Sequence, residues 1–166
     1  MKTTAFFTRI LGWLTGSRLT VENSVVKELD LNRFVGSWYE VARFDHFFER
    51  GLTHTKANYV IREDGRIDVI NTGIKDGKPK TAKGKAKRTD IPSLFRVSFF
   101  GPFYSDYRVM LLDADYRYRL IGSGSDNYLW ILSRTPHLSE EAKTTILSEA
   151  RRRGYDIEKL IWVKQE

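Results

Sequence analysis

From residue 36 to residue 133 the sequence is a succession of short stretches in which polar and apolar residues alternate, each divided from the next by a turn signal. This repeat constrains the fold more than any other feature, because a period of two belongs to strands, whose successive side chains point to opposite faces. Eight strands are read, over 36–44, 57–62, 67–74, 81–88, 95–99, 107–113, 116–122 and 128–133. Glu63-Asp64-Gly65-Arg66 is a hairpin signal of the Asp-Gly type, and Lys75-Asp76-Gly77-Lys78-Pro79 makes a second turn. Regular short strands with turns between them predict a sandwich or a barrel.

After Ser133 the period changes. Ser139 is placed to cap a helix, and Glu140 and Glu141 fall in its first turn, where the helix dipole favours acids. Ala142, Ile146, Leu147 and Ala150 share one apolar face, and Gly154 stops the helix. A last short strand is read over 159–164. The helix comes once and late, so it is no crossover between parallel strands.

The 166 residues fit one domain, and the 41% of apolar residues supply one core. There is no cysteine, which removes disulfides, thiolate nucleophiles, cysteine-based metal sites and lipid attachment through a cysteine of this sequence. Residues 1–22 stand apart from the barrel region 23–166. Ala5 to Leu14 is apolar but interrupted by Arg9 and too short to span a bilayer. Leu14-Thr15-Gly16-Ser17 resembles a bacterial lipoprotein processing box with Ser17 in the cysteine position. The segment reads equally as a degenerate signal or as an amphipathic stretch lying on the barrel or on a membrane.

The net charge of +7 is concentrated in 75–88, which carries Lys75, Lys78, Lys80, Lys83, Lys85, Lys87 and Arg88 against Asp76 alone. A solvated strand face explains this most simply. Docking on an anionic membrane surface is a second use, and tracking the phosphates of a nucleic acid a weaker third.

The alternation assigns faces. Lys83, Lys85 and Lys87 belong in water, so Ala82, Gly84 and Ala86 point inward and leave space. The inward sets elsewhere are Ala57, Tyr59 and Ile61; Phe95, Val97 and Phe99; Tyr107, Val109 and Leu111; and Tyr118 and Leu120, with Arg117 and Arg119 outside. Trp130 shares its parity with Arg134 and is read as inward. Eight-stranded barrels can hold one small ligand, and a lumen of these residues favours an apolar guest, unless large residues opposite fill it.

Gly36-Ser37-Trp38-Tyr39-Glu40 is similar to the Gly-x-Trp motif of lipocalins, Asp113-Ala114-Asp115-Tyr116 resembles that family's second motif, and Arg134 stands at its third-motif arginine. Phe44-Asp45-His46, Phe48-Glu49-Arg50-Gly51-Leu52, Val97-Ser98-Phe99-Phe100-Gly101-Pro102-Phe103-Tyr104 and Tyr128-Leu129-Trp130-Ile131-Leu132-Ser133-Arg134-Thr135-Pro136 resemble the bacterial lipocalins of outer-membrane lipoprotein type, related to apolipoprotein D. The resemblance covers roughly Leu31 to Val163. It implies an all-β, eight-stranded antiparallel up-and-down barrel with one C-terminal α-helix and a short closing strand. It further implies structural roles for Gly36, Trp38, Asp115, Tyr116 and Arg134, with Arg134 lying across Trp38 at the closed end. The implied ligand is a fatty acid or lysophospholipid, contacted by Glu40, Tyr59, Val97, Phe99, Tyr107, Val109, Tyr118 and Trp130. The implied role is lipid handling in the cell envelope, periplasm or outer membrane. The missing cysteine leaves the cytoplasm open as the compartment. Family relatives can pair, but no residue here announces a dimer.

No catalytic chemistry, cofactor or metal is expected. His46, His54 and His137 show no ligand spacing, and there is no nucleophile elbow or phosphate loop. His46 reads as a packed or solvated loop residue, with contact to a ligand headgroup as the sharper alternative. Glu40 shares the inward parity of Trp38, so it needs a partner or a raised pKa, and no second carboxylate is visible beside it.

Overall fold

The computed structural model describes residues 19–166. A short helix α1 (Leu31–Phe34), capped by the Asp30 side chain, leads into β1 (Gly36–Phe44). Then come β2 (Thr53–Ile61), β3 (Ile67–Lys75), β4 (Lys78–Arg88), β5 (Leu94–Phe100), β6 (Phe103–Leu112), β7 (Tyr118–Gly122) and β8 (Leu129–Ser133). Each strand pairs antiparallel with the next, and β8 returns to β1, which closes an eight-stranded up-and-down barrel. Helix α2 (Glu140–Arg152) follows, with Ser139 Oγ accepting from the Ala142 N–H at 3.1 Å, and Gly154 ends it at φ +97°. The closing strand is β9 (Leu160–Trp162).

β9 has a structural task. The lower half of β1 pairs with β2 through Gly36–Tyr39, while its upper end, Ala42–Phe44, pairs with β9. Beyond β9, His54 N–H donates to the Lys164 carbonyl, and Gln165 Nε2 donates to the carbonyls of both Glu40 and Thr55. The C-terminus therefore bridges β1 and β2 where they part.

The described residues form two apolar cores. One lies inside the barrel at its closed end and gathers Phe34, Trp38, Tyr59, Phe95, Val97, Val109 and Ile121. The other lies outside the wall, where Ala142, Ile146 and Ala150 of α2 cover Val41, Leu120, Leu129 and Ile131. The outer core corrects two assigned faces. Tyr118 and Leu120 belong to the seam under α2, and Arg119 points inward with Ile121. The helix needs an apolar bed, so the outer face of β7 is apolar here. In β6 the register shifts between Val109 and Leu111, so Tyr107 and Val109 face in, Leu111 packs on the outer core, and Leu112 returns to the interior.

Of the N-terminal segment, residues 1–18 lie outside the described residues, and with them both readings of that stretch. Thr20 and Val21 are tied to Asp126, whose carboxylate accepts from the Thr20 N–H at 2.9 Å. Val21 packs in the outer core, and Glu22 N–H donates to the Arg153 carbonyl. Arg153 reaches back to the carbonyls of Glu22, Ser24 and Met110, so 20–24 lies fastened along helix and wall.

Candidate functional site

The barrel encloses a cavity of about 700 Å³, within the roughly 300–1,000 Å³ usual for small-molecule sites. Its mouth lies among the β1–β2 loop, the β3–β4 turn and the β5–β6 turn, from which Phe48, Lys75, Lys78 and Phe100 line it. Leu52, Ala57, Val69, Ala82, Val97, Phe99, Trp130 and Leu132 give its wall an apolar character.

The small inward residues of β4 act in different ways. Ala82 borders the cavity. A Cβ on Gly84 would lie 2.7 Å from the Phe99 ring and the Ser98 carbonyl, so Phe99 fills the space that this glycine leaves. Ala86 is buried lower down.

At the base, the hydroxyls of Tyr59 and Tyr107 are hydrogen-bonded at 3.0 Å. Burial pushes the Tyr107 phenol well above its ordinary range, so it stays protonated. Beneath this pair lies Arg119, fully buried, with its guanidinium carbon 3.9 Å from the Phe34 ring centre, 4.1 Å from Trp38 and 4.7 Å from Tyr59. Its polar partner is the Phe34 carbonyl, 3.4 Å from Nη1, while Nε and Nη2 meet no hydrogen-bond acceptor among the described residues. The charge rests on aromatic faces, each desolvated contact being worth about 2 kcal/mol.

Trp38 also carries Arg134, 3.8 Å from its ring centre. Arg134 donates to the carbonyls of Arg33, Val35 and Ser37 at 2.7–2.8 Å, which ties α1 to β1. Burial and the nearby Arg119 charge draw its pKa down to about 10, still above neutrality. Gly36 adopts φ +93°, with Arg134 Nη1 3.4 Å from where its Cβ would sit. In the second motif the working carboxylate is Asp113, which holds the Arg117 guanidinium, whereas Asp115 is exposed. Tyr116, at φ +57°, accepts from the Asp30 N–H through its hydroxyl.

A polar cluster occupies the upper wall. A register shift between Glu40 and Ala42 brings Glu40 and Arg43 together, although three positions apart in a regular strand they would point to opposite faces. Arg43 Nη1 donates to Glu40 at 3.0 Å, and its Nη2 donates to the carbonyls of Glu49 and Leu52, which folds the β1–β2 loop over the wall. Glu49 is the second carboxylate that spacing did not reveal. It lies 2.7 Å from His46 Nε2 and 2.9 Å from Trp130 Nε1, and its charge acts on Glu40. Burial and the Glu49 charge push the Glu40 carboxyl well above the usual range. Burial opposes ionisation of Glu49 too, but hydrogen bonds from His46, Glu40 and Trp130 hold it low. Of the two carboxyls, Glu40 is thus the one whose surroundings favour the protonated form. His46 is packed rather than solvated, edge-on to Phe48, Tyr128 and Trp130.

Six of the eight expected contact residues thus border the cavity: Glu40, Tyr59, Val97, Phe99, Tyr107 and Trp130. Val109 faces inward but is packed below it, and Tyr118 is outside. Sequence reasoning missed Glu49, Phe48, Leu52 and Leu132 as wall residues. Arg119 escaped because its polarity suggested water.

A Lipocalin-like domain model matches residues 29–165. The chain belongs to the lipocalin family. This lipocalin is 50% identical over 146 residues to the outer membrane lipoprotein Blc of Citrobacter freundii, covering 86% of this chain and 82% of that protein. It is 32% identical over 152 residues to apolipoprotein D of Mus musculus, covering 85% and 79%. Among solved structures it superposes on insecticyanin from Manduca sexta with a TM-score of 0.70 at 19% identity, covering 90% and 86%. Apocrustacyanin C1 gives 0.69 at 18%, covering 82% and 80%. The last two bear on the fold alone.

Proposed function

We propose that this lipocalin binds a fatty acid or a lysophospholipid in its lumen, with the acyl chain against Tyr59, Val97, Phe99, Tyr107 and Trp130 and the headgroup at the lysine-bearing mouth. The observation that carries this is the cavity of about 700 Å³, apolar along its wall and rimmed by Lys75, Lys78 and Lys80. Each methylene moved from water to such a wall contributes about 0.8 kcal/mol. The Glu40 and Glu49 carboxyls lie on the wall with Arg43 already committed to Glu40 and to the loop carbonyls, so this cluster offers a carboxylate no free cation, whereas the mouth carries Lys75, Lys78 and Lys80. That orients an anionic lipid tail-down.

The relatives named outer membrane lipoproteins support a place in bacterial lipid handling at the cell envelope. The function is binding, storage or transport rather than catalysis.

Native mass spectrometry of protein purified without detergent tests the reading. A bound mass matching a fatty acid or lysophospholipid, or uptake of added lysophospholipid, is the expected result. An empty protein that takes up neither class of lipid ends it.

A further inference from the structure

The open end of the barrel is unlike the closed end in charge. Among the closed-end turns, Glu63 and Asp64 stand with Arg66, and Asp113 and Asp115 with Arg117. At the open end, Lys75, Lys78 and Lys80 of the β3–β4 hairpin are exposed, and none is ion-paired among the described residues. Asp76, in the turn between them, is the single acid of 75–88. Several other open-end acids are engaged, Asp45 with Arg50, Asp106 with Arg96 and Arg108, and Asp126 with Thr20, while exposed Glu158 lies apart from the hairpin, before β9.

Beside this hairpin stands the β5–β6 turn. The run Ser98 to Ser105 has no charged residue, and its tip presents Gly101, Pro102 and Phe103, with Phe103 45% exposed. The two tips are neighbours because β4 and β5 pair, but they pair only through Lys85–Arg88. Above that the strands part, and Lys78, Lys80 and Ala82 on one side face Phe99 and Phe100 on the other across the cavity. An exposed aromatic tip and a row of free ammonium groups thus flank the same opening.

We propose that this rim docks on an anionic lipid bilayer, with Phe103 and Pro102 in the interfacial layer and Lys75, Lys78 and Lys80 against the headgroups. A bilayer supplies both complements at once. Lysines near an anionic membrane surface are drawn to it, and an aromatic ring beside them settles at headgroup depth. The mouth of the cavity then opens onto the lipid. The docking goes beyond lumenal binding and does not depend on it, because vesicle binding is read with no ligand added.

The test is co-sedimentation of the full chain with vesicles of phosphatidylcholine alone and of phosphatidylcholine mixed in equal parts with phosphatidylglycerol. Binding to the mixed vesicles, weakened by salt, is expected. Combined Lys78→Glu and Lys80→Glu substitutions lower the partition coefficient by about tenfold or more, and Phe103→Ser lowers it by about tenfold. All three positions are exposed, and circular dichroism verifies the fold of each variant. No binding at low salt overturns the proposal, as does equal binding to both vesicle types. Binding that the substitutions leave unchanged also overturns it, since the contact then lies elsewhere on the chain. Lysines that hold single-stranded DNA but not vesicles overturn it as well.

Discussion

Arg119 and Trp38 meet inside the barrel with 4.1 Å between guanidinium carbon and ring centre. Arg134 lies 3.8 Å from the same ring. Two guanidinium groups cannot share one face of an indole so closely, so the ring is held between them and separates two cations. Replacing Trp38 by Leu therefore exposes two positive charges to each other besides emptying volume. A loss of about 3–5 kcal/mol is expected in urea unfolding. A double-mutant cycle with Arg119→Lys should return a coupling of about 1–2 kcal/mol.

The carboxyl pair predicts an unusual stability profile. Glu40 is raised, so above its ordinary value of 4.5 the folded state holds a proton that the unfolded chain has released, and stability falls as pH rises from there through the folded value. Glu49 is lowered, so its contribution is complete above 4.5 and is lost as pH falls towards its folded value. The pair alone thus gives a maximum near pH 4.5. Glu40→Gln, which mimics the protonated acid, should remove the decline on the alkaline side and raise the urea midpoint at pH 7. A midpoint below that of the parent at pH 7 would contradict a raised Glu40.

The cavity wall and the outer seam are separable by mutation. Ala82→Phe adds a ring to the lumen and should weaken acyl-chain binding about tenfold or more while the fold persists. Tyr118→Asp places a carboxylate under α2 and should cost about 1–3 kcal/mol of stability without altering lipid affinity. Isothermal titration with a lysophospholipid and urea unfolding, applied to both variants, distinguish the two sites. Lost affinity in folded Tyr118→Asp would put that residue back in the lumen.

Chain length should be read by the hydrogen-bonded floor of Tyr59 and Tyr107. Affinity for a homologous series of fatty acids should rise about fourfold per methylene until the tail meets these phenols, then level off. Tyr107→Ala should shift the plateau to longer chains. A plateau that stays in place would show that the floor lies elsewhere.

The sequence by itself determined the strands and their order. The Gly65 and Gly77 turns and the late helix at Ser139 are local properties, and the structure keeps them, together with the alternation of β2, β4 and β5. The inward sets of β2, β4 and β5 followed for the same reason: one face of each strand meets water, so lysines such as Lys83 and Lys85 mark the outside. Alternation fails where both faces of a strand are covered. In β7 the outer face packs under α2, and the inner face carries an arginine solvated by rings instead of water, so polarity no longer tells inside from outside. A helix with the apolar face Ala142, Ile146 and Ala150 implied such a bed but not which strand supplied it. The meeting of Glu40 with Glu49, the Gln165 bridge between β1 and β2, and the parting of β4 from β5 were decided only by the tertiary structure. Each depends on a register shift or a loop path, where contacts between distant segments, and not local preference, set the geometry.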